Sequence, residues 1–342
     1  MEKVRFGKTG LMVSKIAFGA IPIQRLSMEK AVSVVRGCIN MGVNFIDTAN
    51  GYSDSEEKIG EAIKDVPRGD IIIATKSGAR DKKTYLEHVD LSLKRMKTDY
   101  IDIHQFHGIS SKETYDQVLS EDGAYQGMLE AIKAGKVRFP AFSSHSVPYA
   151  CEIMKDGKFV AVQLPFNYID NEALNEAIPL AKQLDIGFIA MKPFGGGLLS
   201  DANLSVKYLM QFDSIVPDPG IEKLSEMEEI IKIIQSGAKL TEEDKTAIEQ
   251  VKKELGSVWC HRCEYCMPCP QKIPISITLN VKSVMKRMPF NKVQEFMGAG
   301  IANARTCTEC RACVSRCPYD LDIPALIKER IAMWDDYVAA GK

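Results

Sequence analysis

Eight of the ten cysteines in this 342-residue chain stand in two short runs near its C-terminal end. The first run holds Cys260, Cys263, Cys266 and Cys269, and the second holds Cys307, Cys310, Cys313 and Cys317. A proline follows the last cysteine of each run. The second run has the C-x2-C-x2-C-x3-C-P spacing of bacterial ferredoxins, whose thiolates hold iron–sulfur clusters. The pattern predicts two [4Fe–4S] clusters, one-electron carriers, bound by these eight cysteines.

In the ferredoxin arrangement, the first three cysteines of each run share a cluster with the last cysteine of the other run. Cys317 would then complete the first set and Cys269 the second. An alternative is two zinc sites with four cysteines each, which need only paired C-x2-C segments. Four-cysteine runs that end in Cys-Pro exceed that need, which favours clusters. A disulfide framework is typical of small secreted domains, and the N-terminal sequence lacks the features of a signal peptide.

Short apolar runs alternate with amphipathic stretches over the first two thirds of the chain. The candidate strands are Lys15–Gly19, Val43–Asp47, Ile71–Lys76, Tyr100–His104, Val137–Ser143, Val160–Leu164, Gly187–Lys192 and Ser214–Val216. Such alternation predicts a parallel sheet, and eight repeats favour a (β/α)8 TIM barrel over an open sheet. We expect this α/β barrel at residues 1–240.

A second domain is expected at residues 241–342, beginning with a helix whose N-cap is Thr241. The segment Pro270–Thr306 between the cysteine runs looks helical, and a last helix is expected around Pro324–Tyr337. The composition therefore predicts a small α-helical ferredoxin-like domain after the barrel.

Several strings in the barrel segment, in order, resemble the aldo-keto reductase family. They are FGKTGLMVSKIAFG, NFIDTANGYSDSEEKIG, IIIATKSG, TDYIDIHQFHG, GKVRFPAFSSHS and VQLPFNYID. The resemblance runs from Val4 to about Glu229. Together with the cysteine runs, it points to the iron–sulfur subgroup of that family. It implies an oxidoreductase that interconverts small carbonyl compounds and alcohols.

The resemblance also implies a catalytic tetrad of Asp47, Tyr52, Lys76 and His107. Tyr52 would donate a proton to the carbonyl oxygen. A free tyrosine has a pKa near ~10, and a Lys76 cation would stabilise its phenolate, while Asp47 orients Lys76. His107 would hydrogen-bond the carbonyl oxygen. The alternation of side chains on a strand places His104 on the opposite face from His107, so His104 is interpreted as a packing residue.

The same resemblance implies an NAD(P)H site. Its candidate residues are Ser143, Ser144, Gln163, Met191, Gly195, Gly196 and Gly197. The three glycines would allow close backbone approach to a phosphate. Met191 stands where the family has an aromatic residue that stacks on the cofactor, and Glu222 where a basic residue grips the adenosine 2′-phosphate. Since hydride transfer moves two electrons and each cluster moves one, a flavin is an alternative carrier between them.

The formal net charge of -1 and the lack of a long apolar run predict no binding to nucleic acid or membrane and a cytoplasmic location. The basic segment KSVMKRMPFNK is either a docking site for an acidic ferredoxin or flavodoxin or an ordinary solvated helix face. A competing interpretation of the whole chain is an electron-transfer or docking protein, built on a barrel scaffold with vestigial or flavin-dependent reductase chemistry.

Overall fold

The computed structural model describes residues 1–341, which separate into two compact units. The first unit comprises Met1–Gly195 and Asp201–Lys239. The second comprises the chain from Leu240 onward together with the short segment Gly196–Ser200. The first unit is a parallel β/α barrel and the second is helical, which confirms the predicted fold class.

Within residues 1–341, eight parallel strands form the barrel wall. In chain order they are β3 (Phe18–Gly19), β4 (Phe45–Asp47), β5 (Ile72–Ser77), β6 (Ile101–Phe106), β7 (Val137–Ser143), β8 (Ala161–Pro165), β9 (Gly187–Met191) and β10 (Ile215–Pro217). Consecutive strands pair with each other. The wall closes between β3 and β10, where the Ala17 N–H donates to the Pro217 carbonyl at 2.8 Å.

An antiparallel hairpin of β1 (Lys3–Arg5) and β2 (Met12–Ser14) precedes the barrel. Its Phe6 ring packs against Phe45, with ring centroids 5.4 Å apart, and belongs to the apolar cluster inside the barrel. The hairpin thereby closes the N-terminal end of the barrel interior. The first barrel strand is shorter than the predicted Lys15–Gly19, because the Lys15 N–H still pairs with the hairpin carbonyl of Glu2.

Nine helices of the described chain belong to the first unit. They are α1 (Met28–Asn40), α2 (Ser55–Ile63), α3 (Lys82–Met96), α4 (Lys112–Leu119), α5 (Ala124–Lys133), α6 (Val147–Lys155), α7 (Ala177–Gln183), α8 (Ala202–Leu209) and α9 (Leu224–Ser236). The side chains of Ser27, Asp81, Ser111 and Asp201 cap four of them by accepting backbone N–H groups of the first turn. The largest apolar cluster of the chain lies between these helices and the sheet.

The barrel interior is filled by layers of side chains from alternate strands, as in other closed parallel barrels. One layer lies nearest the hairpin and contains Phe45, Ile103, Ala161 and Val216. The next comes from the other four strands and contains Ala17, Ala74, Ala141 and Ile189. Because these layers are apolar and buried, they shield polar residues further along the same strands from water on that side.

The second unit is formed by helices. They are α10 (Glu242–Gly256), α11 (Ile275–Leu279), α12 (Val281–Arg287), α13 (Phe290–Ala304) and α14 (Ile323–Ala340). Thr241 caps α10 as predicted, and its hydroxyl and Asp244 form a reciprocal capping box. None of the helices described in residues 1–341 is both long enough and apolar enough to cross a membrane.

Asp102 on β6 fastens the N-terminal ends of the barrel strands and is only 1% exposed. Its Oδ2 atom accepts from Arg68 at 2.7 Å and from the Ile73 N–H at 3.0 Å. Its Oδ1 atom accepts from Arg138 at 2.7 Å. One buried carboxylate thus pairs with two cations and one backbone amide.

We expect Asp102→Ala to lower the free energy of unfolding by about 3 kcal/mol, because it leaves a buried N–H and two guanidinium groups without their acceptor. Urea denaturation measures this change. Asp99→Ala, which removes an exposed carboxylate three residues earlier, is the matched control and should change stability by less than about 0.5 kcal/mol. Equal effects of the two substitutions would contradict this account of Asp102.

Candidate active site and cluster-binding cysteines

Above the apolar layers, the barrel carries a layer made only of carboxyl and amide side chains. Its members are Asp47, Gln105, Gln163 and Asp218, from β4, β6, β8 and the end of β10. Asp47 lies beside Ala74, and Gln105 lies beside Lys76, two residues further along the same strand. This stagger is the shear of a closed barrel, so the four residues lie at one height.

Hydrogen bonds join the members of this polar layer. The Gln105 Nε2 atom donates to Asp47 Oδ1 at 3.1 Å. The Gln163 Nε2 atom donates to Asp47 Oδ2 at 3.2 Å and to Asp218 Oδ2 at 2.6 Å. All four side chains are buried, so each polar contact is made with little water to compete.

Lys76 stands in the next layer, with Gly19, Ser143 and Met191 at the same height. Its ammonium group donates to Asp47 Oδ2 at 2.5 Å and to the Thr48 carbonyl at 2.6 Å. Burial alone would lower the pKa of Lys76, but Asp47 and the nearby Tyr52 and Asp218 outweigh burial and raise it. Lys76 is therefore a buried cation held by Asp47.

Tyr52 and His107 lie over this ion pair. The Lys76 Nζ atom is 5.4 Å from the centre of the Tyr52 ring. The Tyr52 and His107 rings meet edge to face, with centroids 5.9 Å apart. Tyr52 sits in the turn after β4, and the His107 N–H donates to the Ser77 carbonyl just after β6. The structure thus brings all four members of the expected tetrad together at the C-terminal ends of neighbouring strands.

His104 points away from this group, toward the helices. Its Nδ1 atom lies 2.8 Å from the Tyr85 hydroxyl of α3. Burial lowers the pKa of His104 to about 3, so the ring is neutral at pH 7. Its position agrees with a packing role.

The residues expected to hold the nicotinamide amide lie in the same mouth but differ in their partners. Ser143 Oγ accepts the Gly108 N–H at 3.0 Å. Ser144 Oγ contacts the Ser110 hydroxyl and the backbone of Ser146. Gln163 uses its amide nitrogen within the polar layer and leaves its Oε1 atom buried without a hydrogen-bond partner among residues 1–341. A bound amide N–H would satisfy that oxygen.

The glycines of the expected phosphate loop, Gly195, Gly196 and Gly197, all have positive φ angles, of 56°, 67° and 87°. Gly196 and Gly197 group with the second unit. There the Gly196 carbonyl accepts from the Ser283 hydroxyl at 3.2 Å, and the Gly197 carbonyl accepts from Lys286 at 3.0 Å. The loop has the left-handed backbone for which glycine is suited.

A cleft beside α1 contains the residue that departs from the family pattern. Leu26, Lys30, Ser33, Val34, Glu222 and Lys223 line it. The Glu222 carboxylate accepts a hydrogen bond from Arg25 and forms an ion pair with it. The cleft thus offers a carboxylate whose charge is partly balanced, with two lysines nearby.

Asp218 is a member of the site that sequence reasoning missed. It is 7% exposed and follows β10 in the string VPDPG. Burial, and next the neighbouring Asp47 carboxylate, raise the pKa of Asp218 well above its ordinary value. The only available signal was a polar residue near the carboxyl end of an even-numbered barrel strand, where Asp47, Gln105 and Gln163 also lie.

The cysteines of the second unit gather in two sets. Burial raises the pKa of the Cys260 thiol to about 11, and its neighbours Cys263 and Cys317 add to that rise. Burial raises the pKa of the Cys266 thiol to about 12, and the neighbours Cys260 and Cys263, with Cys313 of the second run, add to that rise. Cys317 of the second run is thus a neighbour of Cys260.

The second set surrounds a cavity of about 340 Å³, a volume that includes space open to solvent. Its four thiols come from both runs, and they are Cys269, Cys307, Cys310 and Cys313. Ile273, Ile275 and Ile327 supply an apolar lining. Cysteines of both runs therefore contribute to the lining of one cavity.

Both units match families of known proteins. Residues 15–251 match the model of the aldo/keto reductase family, and residues 259–322 match that of the 4Fe-4S dicluster domain. The chain is 31% identical to the uncharacterized oxidoreductase YqkF of Bacillus subtilis over 218 residues, which cover 60% of this chain and 68% of YqkF. It is 30% identical to L-galactose dehydrogenase of Arabidopsis thaliana over 220 residues, covering 59% and 68%.

A solved structure supports the barrel assignment. The holo form of aldo-keto reductase AKR11C1 from Bacillus halodurans superposes with a TM-score of 0.64 at 23% identity, covering 73% of this chain and 96% of that one. From the ordered motifs, the closed barrel and the family matches, we conclude that the chain belongs to the aldo/keto reductase family and is an oxidoreductase with a C-terminal 4Fe–4S domain.

Proposed function

We propose that this protein interconverts a small carbonyl compound and its alcohol at Asp47, Tyr52, Lys76 and His107, and that two [4Fe–4S] clusters in its second unit transfer single electrons. The observation that carries the first part is the buried Lys76 ammonium, held between the Asp47 carboxylate and the Tyr52 ring. A fixed cation beside a phenol is the arrangement that makes a tyrosine an acid near neutral pH.

The residues divide the work by position. Tyr52 transfers the proton to the carbonyl oxygen, and the Lys76 cation stabilises the phenolate that remains. Asp47 and the Thr48 carbonyl keep Lys76 in place, so its charge needs no rearrangement during the reaction. His107, in edge-to-face contact with Tyr52, lies where it can hydrogen-bond the same carbonyl oxygen.

A nicotinamide cofactor would supply the hydride. The residues that fit it are Gln163, whose buried Oε1 atom lacks a donor among the described residues, and Ser143 and Ser144 at the end of β7. The glycine loop at Gly195 fits close approach of a phosphate. These features support nicotinamide binding at the mouth of the barrel.

We further propose a preference for NADH over NADPH. A carboxylate can accept a hydrogen bond from the ribose 2′-hydroxyl but repels a 2′-phosphate. Glu222 lines the cleft beside α1, where it pairs with Arg25 and where Lys30 and Lys223 also lie. A relative from Escherichia coli, 25% identical over 230 residues, is named NADH-specific methylglyoxal reductase, which supports both the cofactor and a carbonyl substrate.

The clusters would be held by the two cysteine sets. The first set is Cys260, Cys263, Cys266 and Cys317, and the second is Cys269, Cys307, Cys310 and Cys313. Cys310 is exposed, which favours electron exchange between that cluster and a ferredoxin- or flavodoxin-type partner. The basic segment adds little to this proposal, because Lys286 donates to Gly197 and Lys292 pairs with Glu295.

We expect Tyr52→Phe to lower kcat for carbonyl reduction by at least about 100-fold, because the proton donor is lost while the ring remains. Steady-state assays with NADH and an α-ketoaldehyde such as methylglyoxal measure it under anaerobic conditions. Tyr100→Phe is the control, since that ring packs on Arg68 and Arg138 beside Asp102. Unchanged turnover in Tyr52→Phe would remove Tyr52 from the mechanism.

We expect Glu222→Gln to lower KM for NADPH by about tenfold with little change for NADH, because a repulsive charge near the 2′-phosphate is removed. Comparing kcat/KM for both nucleotides checks this. Glu229→Gln, at an exposed position on α9, controls for the general loss of one negative charge. Equal nucleotide selectivity in the wild type and Glu222→Gln would argue against the assigned cleft.

We expect Cys310→Ser and Cys317→Ser each to impair a different cluster, reducing bound iron from about eight to about four atoms per chain. Iron and sulfide analysis, with EPR of the dithionite-reduced protein, distinguishes the two remaining clusters. Cys151→Ser, which alters a buried cysteine of the barrel, should keep all the iron. Loss of the same EPR signal in both ligand variants would contradict the crossed assignment.

A further inference from the structure

The polar layer of the barrel contains two carboxyl groups, and one of them contacts the Lys76 cation. Asp47 is 3% exposed and Asp218 is 7% exposed. The ammonium of Lys76 contacts the layer by binding Asp47 Oδ2 at 2.5 Å. The neighbours on the facing strands, Gln105 and Gln163, are neutral amides. Asp47 and Lys76 balance each other, so an ionised Asp218 would be an excess buried negative charge.

The hydrogen bonds of Asp218 give the same result. Its Oδ2 atom accepts from Gln163 Nε2 at 2.6 Å. Its Oδ1 atom is buried and has no hydrogen-bond partner among residues 1–341. An ionised carboxylate normally has several donors around both oxygens, because a charged oxygen without donors or water is costly. A neutral carboxyl group needs fewer donors around its oxygens, because it carries no charge.

We propose that Asp218 is a positioning residue that carries a proton at neutral pH and, as a neutral acid, ties Gln163 and Asp47 into one hydrogen-bonded layer beneath Tyr52. This role rests on the proposed function of the tetrad. Gln163 is the link, because its single amide nitrogen spans Asp47 and Asp218.

The protonation of Asp218 matters for the site because Asp47 and Asp218 would otherwise share the charge of Lys76. With Asp218 neutral, Asp47 is the single carboxylate of the layer that faces the Lys76 cation. The positive charge of Lys76 can then also stabilise a Tyr52 phenolate. If Asp218 lost its proton, a second negative charge in the layer would oppose formation of a Tyr52 phenolate. Deprotonation should therefore reduce the reaction rate.

The direction of the pKa shift supports this assignment. Burial, then Asp47, raise the pKa of Asp218 well above its ordinary value, while Lys76 and Gln163 lower it less. An acid with a raised pKa binds more protons in the folded chain than in the unfolded chain. The stability that this protonation gives is complete below the unfolded value, near ~3.9. It is lost as the pH rises toward the folded pKa.

The first test needs no turnover. Infrared difference spectra of the full chain at neutral pH, wild type minus Asp218→Asn, should show the carbonyl stretch of a protonated carboxyl group, assigned by ¹³C-aspartate labelling. The same spectrum for Asp213→Asn, whose carboxylate is 94% exposed, should lack that band. No protonated-carboxyl band in the Asp218 difference spectrum would overturn the proposal.

Stability against pH gives an independent readout. In urea denaturation from pH 5 to pH 9, Asp218→Asn should gain stability relative to the wild type as the pH rises, since it cannot ionise. Asp213→Asn should run parallel to the wild type. A constant difference between Asp218→Asn and the wild type would mean that Asp218 is ionised in the folded chain as it is in the unfolded chain, and would overturn the proposal.

Kinetics test the positioning role. We expect Asp218→Asn, which keeps an acceptor for Gln163 but cannot ionise, to lack the decline at alkaline pH that Asp218 causes in the wild type. Asp218→Ala, which removes the nearer of the two acceptors of Gln163 Nε2, should lower kcat/KM by about tenfold or more. Identical alkaline declines in the wild type and Asp218→Asn would refute the role. An inactive wild type would refute the tetrad instead, while the infrared test of Asp218 still stands.

Discussion

The candidate active site is built around one buried ion pair, between Lys76 and Asp47. The pair is formed at 2.5 Å, and both side chains are almost completely shielded from solvent. A buried pair of this kind costs desolvation and is stable only when further hydrogen bonds complete it. The Thr48 carbonyl accepts a second hydrogen bond from Lys76, and the Gln105 and Gln163 amides donate hydrogen bonds to Asp47. The rest of the candidate site is arranged around that requirement.

The barrel makes the pair possible by stacking layers in a fixed order. Two apolar layers fill the barrel next to the N-terminal hairpin, and two polar layers follow at the carboxyl ends of the strands. The apolar layers exclude water from below, which strengthens each electrostatic contact above them. Tyr52 and His107 then need only the turns after β4 and β6 to reach the same place. Asp218 is the second carboxyl group of this layer, and we propose that it is protonated because the layer already contains the charged Asp47.

The sequence predicted much of this arrangement because the motifs lie on consecutive strands. Once Asp47, Lys76 and His107 are assigned to strand ends, the parallel barrel brings them together. The crossed grouping of the cysteines remains a prediction from spacing, and Cys269 lines one cavity with the first three cysteines of the other run. Asp218 could not be found in this manner. Its place in the layer depends on the stagger across four strand pairs, and residue spacing along the chain does not reveal it.

The hydrogen-bond and ion-pair partners of individual side chains also could not be predicted from the sequence. Ser144 was expected to face a cofactor amide, but its hydroxyl contacts Ser110 and the Ser146 backbone. Glu222 stands where the family has a basic residue, and its ion pair with Arg25 is visible only in the structure. Both contacts join residues far apart in the chain or depend on a local turn, so spacing patterns contain no trace of them.

The central claim is that the Lys76 charge, held by Asp47, drives proton transfer from Tyr52. The most direct measurement is the single-turnover rate of NADH oxidation by a carbonyl substrate in Lys76→Met, followed anaerobically by stopped flow across the pH range. The account predicts a rate at least about 100-fold below the wild type at neutral pH with NADH affinity nearly unchanged. A Lys76→Met variant that reacts at the wild-type rate would contradict it.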